Sequence, residues 1–184
     1  MFYETIAKGH IRIPPRLLTG EVKDSIMNNL NNTLDLNVPQ ELGIVIDIPE
    51  IIEVGEGIII PGDGAAYYDT KFKMIIFRPE MQEIVIGKIQ EVADFGAFLD
   101  IGPIDGMIHI SQTMDDFVSF SKTGELQGKE SKKTLKTNDK CRARIVAISY
   151  KDISNPKIGL TMRQPMLGPL HYIEEDLKKV EKKK

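Results

Sequence analysis

The sequence predicts an α+β amino-terminal half, then an all-β half with a helix at its end, and three observations predict it. Leu18, Val22, Ile26 and Leu30 recur every fourth position within a half otherwise made of β-branched runs, so one amphipathic helix sits among strands. From 83 to 112, apolar and polar residues alternate with period two between tight-turn dipeptides, the pattern of half-buried strands. Leu170, Ile173, Leu177 and Val180 then restore helical spacing near the end of the 184 residues. The expected partition is 1–80, 81–163 and 164–184.

Residues 1–13 alternate loosely and stop at Pro14-Pro15, which closes a strand and opens a helix over 16–30. Asn28, Asn29, Asn31 and Asn32 favour turns and end that helix. The runs 42–48 and 51–60, broken at Pro49-Glu50, and the run 71–77, closed by Pro79, complete a β-α-β-β-β order. Between the last two strands lies Pro61-Gly62-Asp63-Gly64-Ala65-Ala66. Its small side chains let backbone approach another surface closely; on residues alone it is also an ordinary hairpin loop.

In the second half, Val85, Gly87 and Ile89 alternate with Ile86, Lys88 and Gln90, and Ala97, Leu99 and Ile101 with Phe98 and Asp100. Two strands therefore meet at Asp94-Phe95-Gly96. Gly102-Pro103 and Asp105-Gly106 are turns, 107–110 is a third strand, and Ser111 opens a helical turn. Alternation turns Ala97, Leu99, Ile108 and Ile110 inward. Phe98 and His109 face outward, with Phe95 at the corner, which suits stacking of nucleobases. The stretch GKIQEVADFGAFLDIGPIDGMIHIS resembles the ribosomal-protein S1 type of RNA-binding domain. That resemblance implies a five-stranded OB barrel with its fourth strand at 139–149 and its fifth at 157–162. Cys141, Ala143 and Ile145 alternate with Arg142 and Arg144, and Ile158, Leu160 and Met162 with Gly159 and Thr161, as such strands require. Phe95, Phe98, His109 and Arg144 match positions at which this family presents RNA-binding side chains. Arg142 and Lys88 join them as candidates on the outer face. The family's acidic residue at the end of the fourth strand is replaced by Ser149, and YKDISNP intervenes before Lys157.

Charge divides unevenly. Residues 1–80 hold 7 Lys+Arg against 12 Asp+Glu and residues 81–184 hold 17 against 15, so nucleic acid is expected at the second half and protein at the first. No apolar run nears the ~20 residues that span a bilayer, and MFYETIAKGH lacks the pattern of a signal peptide, so a cytoplasmic location is expected. The single cysteine, Cys141, reads as buried filler. His10, His109 and His171 are isolated and no cysteine pair exists, so neither metal nor cofactor is expected. Asp94-Phe95-Gly96 lacks the companion motifs of a kinase, and Gly55-Glu56-Gly57 does not join a strand to a helix. Asp115-Asp116 diverge and have no third acid beside them, so catalysis is not expected.

Residues 113–138 interrupt the barrel with a lysine-rich excursion, read either as a functional contact with an anionic partner or as a solvated surface insertion. A terminal helix is expected from 169 to about 180. The order of GDGAAY, DGMIHISQ, MDDFVS, RARIVAIS and TMRQP resembles the E-prime family of archaeal RNA polymerase subunits, counterparts of the seventh subunit of eukaryotic RNA polymerase II. This resemblance implies a truncated RNP-like domain that docks on the polymerase core, with Pro61, Gly62, Asp63, Gly64 and Ala65 as the docking loop. It also implies a smaller partner, the F-type RNA polymerase subunit, a stalk made by the pair, binding of emerging single-stranded RNA, and help in promoter opening without nucleotidyl transfer. An RNA-binding accessory or cap subunit of an RNA-degrading or translation complex, and a ribonuclease gripping its substrate with the barrel, are the competing readings. Co-purification separates them.

Overall fold

In the computed structural model, residues 1–18, 20–32, 43–121, 124–150 and 156–181 are described. The chain divides into two compact units, Met1–Arg78 and Pro79–Lys184, so the expected third segment lies within the second.

The first unit runs β1 (Phe2–Ile13), a 3-10 turn (Pro15–Leu17), α1 (Val22–Asn32), β2 (Ile44–Ile59) and β3 (Ala66–Phe77). The strands form an antiparallel sheet in the order β1-β3-β2. Ile26 and Leu30 of α1 pack on Ile13, Ile48, Ile51, Phe72, Met74 and Ile76, which puts the core between helix and sheet. The opposite face carries ion pairs, Lys8 to Asp69 at 2.8 Å and Lys73 to Glu4 at 3.3 Å. That division follows from strand alternation: one side apolar, the other charged.

Several boundaries differ from expectation: β3 begins at Ala66 rather than 71, and Asp105-Gly106, expected as a turn, open a strand of the second unit. The helix predicted over 16–30 begins at Val22, because Pro15–Leu17 form a separate turn and Gly20 takes φ +100°, a conformation that an α-helix does not admit. The asparagines lie inside the last turns of α1, which ends at Asn32. The runs 42–48 and 51–60 are one strand rather than two. The ladder to β3 skips between Asp47 and Glu50, so Pro49, which has no N–H to donate, is absorbed at a bulge on this edge strand. Leu42 lies outside the described residues.

The second unit contains β4 (Ile84–Ala93), β5 (Gly96–Asp100), β6 (Asp105–His109), β10 (Lys140–Ser149) and β11 (Lys157–Thr161), closed into a barrel. Closure runs β4-β5-β6-β11-β10 and back to β4, with β6 and β11 parallel and every other pair antiparallel. Gly96 is required at the β4–β5 turn: a Cβ there would lie 2.1 Å from the Ile108 carbonyl oxygen. Val85, Ile89, Ala97, Leu99, Ile108, Cys141, Ala143, Ile145, Ile158 and Leu160 fill the interior. Ile110, expected inside, is only half-buried because it starts a 3-10 turn (Ile110–Gln112). Burial pushes the Cys141 thiol up to about 12, so this cysteine is filler.

The excursion at 113–138 is a small antiparallel sheet in the order β7-β8-β9, formed by β7 (Val118–Phe120), β8 (Leu126–Gly128) and β9 (Thr134–Leu135). Leu126 and Leu135 are fully buried in the barrel's own core, which anchors it. Asp116 closes its base, accepting hydrogen bonds from the backbone N–H groups of Phe117, Glu130 and Ser131 and from the Ser131 hydroxyl. These bonds, the Ser131 N–H first, hold its carboxyl below the ordinary range. After β12 (Gly168–Pro169) pairs with β10, α2 (Leu170–Glu181) braces the excursion through Lys133 to Asp176 at 3.2 Å and the Thr134 N–H to the Tyr172 hydroxyl at 3.1 Å.

Candidate nucleic-acid interface

Outward-facing residues of β5 and β6 build the centre of the interface. Phe98 pairs with Met107 and Gly96 with His109 across these strands, so the Phe98 ring and the imidazole stand on neighbouring positions of one face. Phe95, at the preceding turn and 47% exposed, meets Phe98 edge to face, with ring centroids 6.0 Å apart and planes at 81°. Edge-to-face contact fixes both rings while leaving π surface for a ligand. His109 Nδ1 accepts from the Ser111 N–H at 3.3 Å and lies 2.8 Å from its hydroxyl oxygen. This arrangement places the ring proton on Nε2, an outward donor suited to a phosphate or base acceptor.

A cavity of about 520 Å³ adjoins this face, lined by Phe98, Pro103, Ile104, Met107, Pro156 and Lys157 among others. Its apolar walls suit a base, and of its two charged lining residues, Asp105 and Lys157, the lysine suits the phosphate. Arg144 lies outward on β10, since Ala143 and Ile145 on either side point inward. Arg144 pairs with Thr161 of β11, and the preceding Leu160 pairs with Ile108 of β6. At roughly 4.8 Å per strand, Arg144 is therefore about 10 Å from the His109 position. Its Nε is buried with no hydrogen-bond partner among the described residues, so contact with an anion falls to the outer end of the guanidinium.

The remaining nominees stand apart. Arg142 pairs with Ile86 of β4 and reaches toward the Met166 carbonyl at 3.5 Å, in a neighbourhood of exposed apolar side chains, Ile84, Ile86 and Met166. Lys88 is exposed between Asp100 and Lys140. Three of the six nominees, Phe95, Phe98 and His109, thus cluster closely, Arg144 flanks them, and Arg142 and Lys88 lie on other parts of the outer surface. Met107 and Lys157, which are not among the sequence candidates, share this face, as their positions in alternating strands allow.

In the first unit the glycine-rich loop is held rather than free. Asp63 accepts two hydrogen bonds from Arg12 of β1, from Nε at 2.9 Å and from Nη2 at 2.6 Å, and a further bond from the Tyr67 hydroxyl of β3. Arg12, with Tyr67, keeps the Asp63 carboxyl down at about 2. Gly62 and Gly64 adopt φ +97° and +68° with open space around them, so glycine is needed here for conformation rather than for packing. Pro61, Gly62, Asp63 and Gly64 are exposed, but Ala65 is fully buried and cannot touch a partner. Beside the loop, Ile58, Ile59 and Ile60 are exposed at the end of β2, a patch that the β-branched pattern alone did not distinguish from core.

Comparison with known families matches both units. Residues 78–152 match the S1 RNA binding domain, and residues 8–64 match the SHS2 domain found in N terminus of Rpb7p/Rpc25p/MJ0397. The chain is therefore a two-part protein that joins an SHS2 domain to an S1 barrel. DNA-directed RNA polymerase subunit Rpo7 of Sulfolobus acidocaldarius is 36% identical over 183 residues, 99% of this chain and 100% of that one. The Saccharolobus solfataricus subunit of the same name is 36% identical over 94% of this chain and 97% of its own. The RPC8 subunit of DNA-directed RNA polymerase III from Bos taurus is 28% identical over 63% of this chain and 57% of its own. The chain belongs to the Rpo7 family of DNA-directed RNA polymerase subunits.

Proposed function

We propose that this chain is a non-catalytic stalk subunit of DNA-dependent RNA polymerase, acting in the cytoplasm. It pairs with an F-type partner, docks on the core through the exposed part of the 61–64 loop, and holds emerging single-stranded RNA on the barrel. Near-complete alignment with relatives named as polymerase subunits is the observation that carries this reading. The Phe95, Phe98 and His109 cluster, flanked by Arg144, supplies stacking surface, one imidazole donor and one cation, which supports weak, sequence-tolerant RNA binding. Arg12 and Tyr67 pre-order the docking loop through Asp63, so less conformational freedom is lost when it enters a pocket. The exposed Ile58–Ile60 patch adds apolar area beside it. Ile84, Ile86 and Met166, with Arg142 among them, supply an apolar patch with a basic member for the F-type partner.

The test is capture from native lysate of an archaeon encoding the chain, followed by mass spectrometry. Polymerase core subunits and a small F-type subunit are expected. Recovery of an exosome-like ring or of ribosomal particles instead would overturn the assignment.

A further inference from the structure

The excursion carries an exposed phenylalanine that neither the core nor the barrel's aromatic cluster explains. Phe117 is 75% exposed, against 47% for Phe95. Its backbone is fixed on both sides: its N–H donates to Asp116 Oδ1 at 2.6 Å, and its carbonyl accepts from the Lys129 N–H at 2.8 Å. A large apolar ring exposed on a backbone that is already fixed loses less freedom on binding than one on a loose loop, which favours a stacking platform.

Its surroundings fit a nucleotide. Phe117, Ile110, Ser111, Val118 and Arg163 line a cavity of about 450 Å³ together with Asp115, Asp116 and Glu130. Ser111 is the residue that holds the His109 ring, so this cavity continues the face that bears Phe98 and His109. Three carboxylates would repel phosphate if they were free. Asp116 is saturated by the loop's own N–H and hydroxyl groups, and Asp115 is paired with Arg163 Nε at 2.9 Å. Arg163 makes that pair through Nε, which leaves its two Nη groups to meet a phosphate. Glu130 is the one carboxylate of this lining with neither an ion-pair partner nor a hydrogen-bond donor among the described residues, so a phosphate is confined to the Arg163 side of the cavity.

We propose that Phe117 is a second RNA-stacking residue, carrying single-stranded RNA from the Phe98 and His109 face across Ser111 onto the excursion, with one base on Phe117 and its phosphate at Arg163. This rests on the RNA-binding reading above and lengthens the bound segment beyond what the barrel face holds.

The chain has no tryptophan, so Phe117→Trp makes a single local reporter in the full-length protein. Titration with oligouridine of about 16 nucleotides should quench that fluorescence at the concentration at which the labelled RNA is bound, whereas roughly 4 nucleotides should bind without the full quench. Phe117→Ala should weaken binding of the longer RNA roughly 5- to 150-fold and leave the shorter nearly unchanged, with circular dichroism confirming the fold. Unquenched Phe117→Trp at saturating RNA, or Phe117→Ala binding the long RNA as wild type does, overturns the proposal. If Phe98→Ala still weakens binding in that case, the RNA-binding reading stands alone; if Phe98→Ala is also silent, that reading falls with it. Fluorescence that responds only to added polymerase core marks Phe117 as a protein contact and likewise overturns the proposal.

Discussion

Replacing Phe98 by alanine separates two roles of one ring. In the free protein Phe98 is half-buried and makes the edge-to-face contact with Phe95 at 6.0 Å, worth about 0.5–1.5 kcal/mol beyond area burial. That loss appears in stability and cancels between free and bound states in an affinity measurement. A base stacked on the ring contributes about 1–3 kcal/mol to binding alone. Phe98→Ala should therefore weaken RNA binding roughly 5- to 150-fold, measured by fluorescence anisotropy with labelled oligouridine at fixed salt, and should also lower the urea midpoint. Phe98→Leu keeps most of the apolar volume beside Met107 but offers no π face. It should lose RNA affinity as alanine does while retaining most of the stability. If both variants bind RNA as wild type does and remain folded, the β5–β6 face is not the RNA site.

Valine at both Gly62 and Gly64 should strain the loop through its positive φ angles, not through a clash, and abolish joining to the polymerase core while RNA affinity stays at the wild-type value; co-sedimentation with core tests this. Leu126→Ala should destabilise the second unit by about 2–5 kcal/mol in urea unfolding, because that side chain is fully buried in the barrel core; a loss under about 0.5 kcal/mol would mean that the excursion is a detachable surface feature. Asp116 has its carboxyl lowered from the ordinary 3.8 by loop N–H donors, so its stabilisation is present above that value and is lost as pH falls through the lower folded one. Hydrogen exchange at the Glu130 and Ser131 amides, corrected for intrinsic rate, should lose protection in that acid window in wild type, and Asp116→Asn should show the loss already at neutral pH.

The barrel was legible because its signals are local. Alternation at Val85–Ile89 and Ala97–Leu99, with Gly96 at the turn, fixes strand faces within a few residues, and the same alternation sets Phe98 and His109 outward whatever strand they pair with. The helix start failed because four-residue spacing from Leu18 onward continues through Gly20, whose φ of +100° breaks the helix without disturbing the apolar pattern. β2 was split at Pro49 because a proline reads as a break in sequence, while an edge strand can accept it at a bulge. The Arg12–Asp63 clamp joins residues 51 apart, and no local signal marks such a pair. Likewise, Arg142 and Arg144 share one strand face and pair with Ile86 and Ile84 of β4, but across the other edge Arg144 meets Thr161 of β11 and Arg142 meets Gly168 of β12, partners that barrel closure sets.

In the proposed function one chain both joins the polymerase and holds its RNA. Elongation complexes reconstituted with core, an F-type partner and this chain, and carrying photoreactive uridine in the emerging transcript, test that claim most directly. Crosslinks should map by mass spectrometry to the peptide containing Phe95 and Phe98, and Phe98→Ala should reduce them while the complex stays assembled. Crosslinks confined to the core subunits, with this chain present but unlabelled, would contradict it.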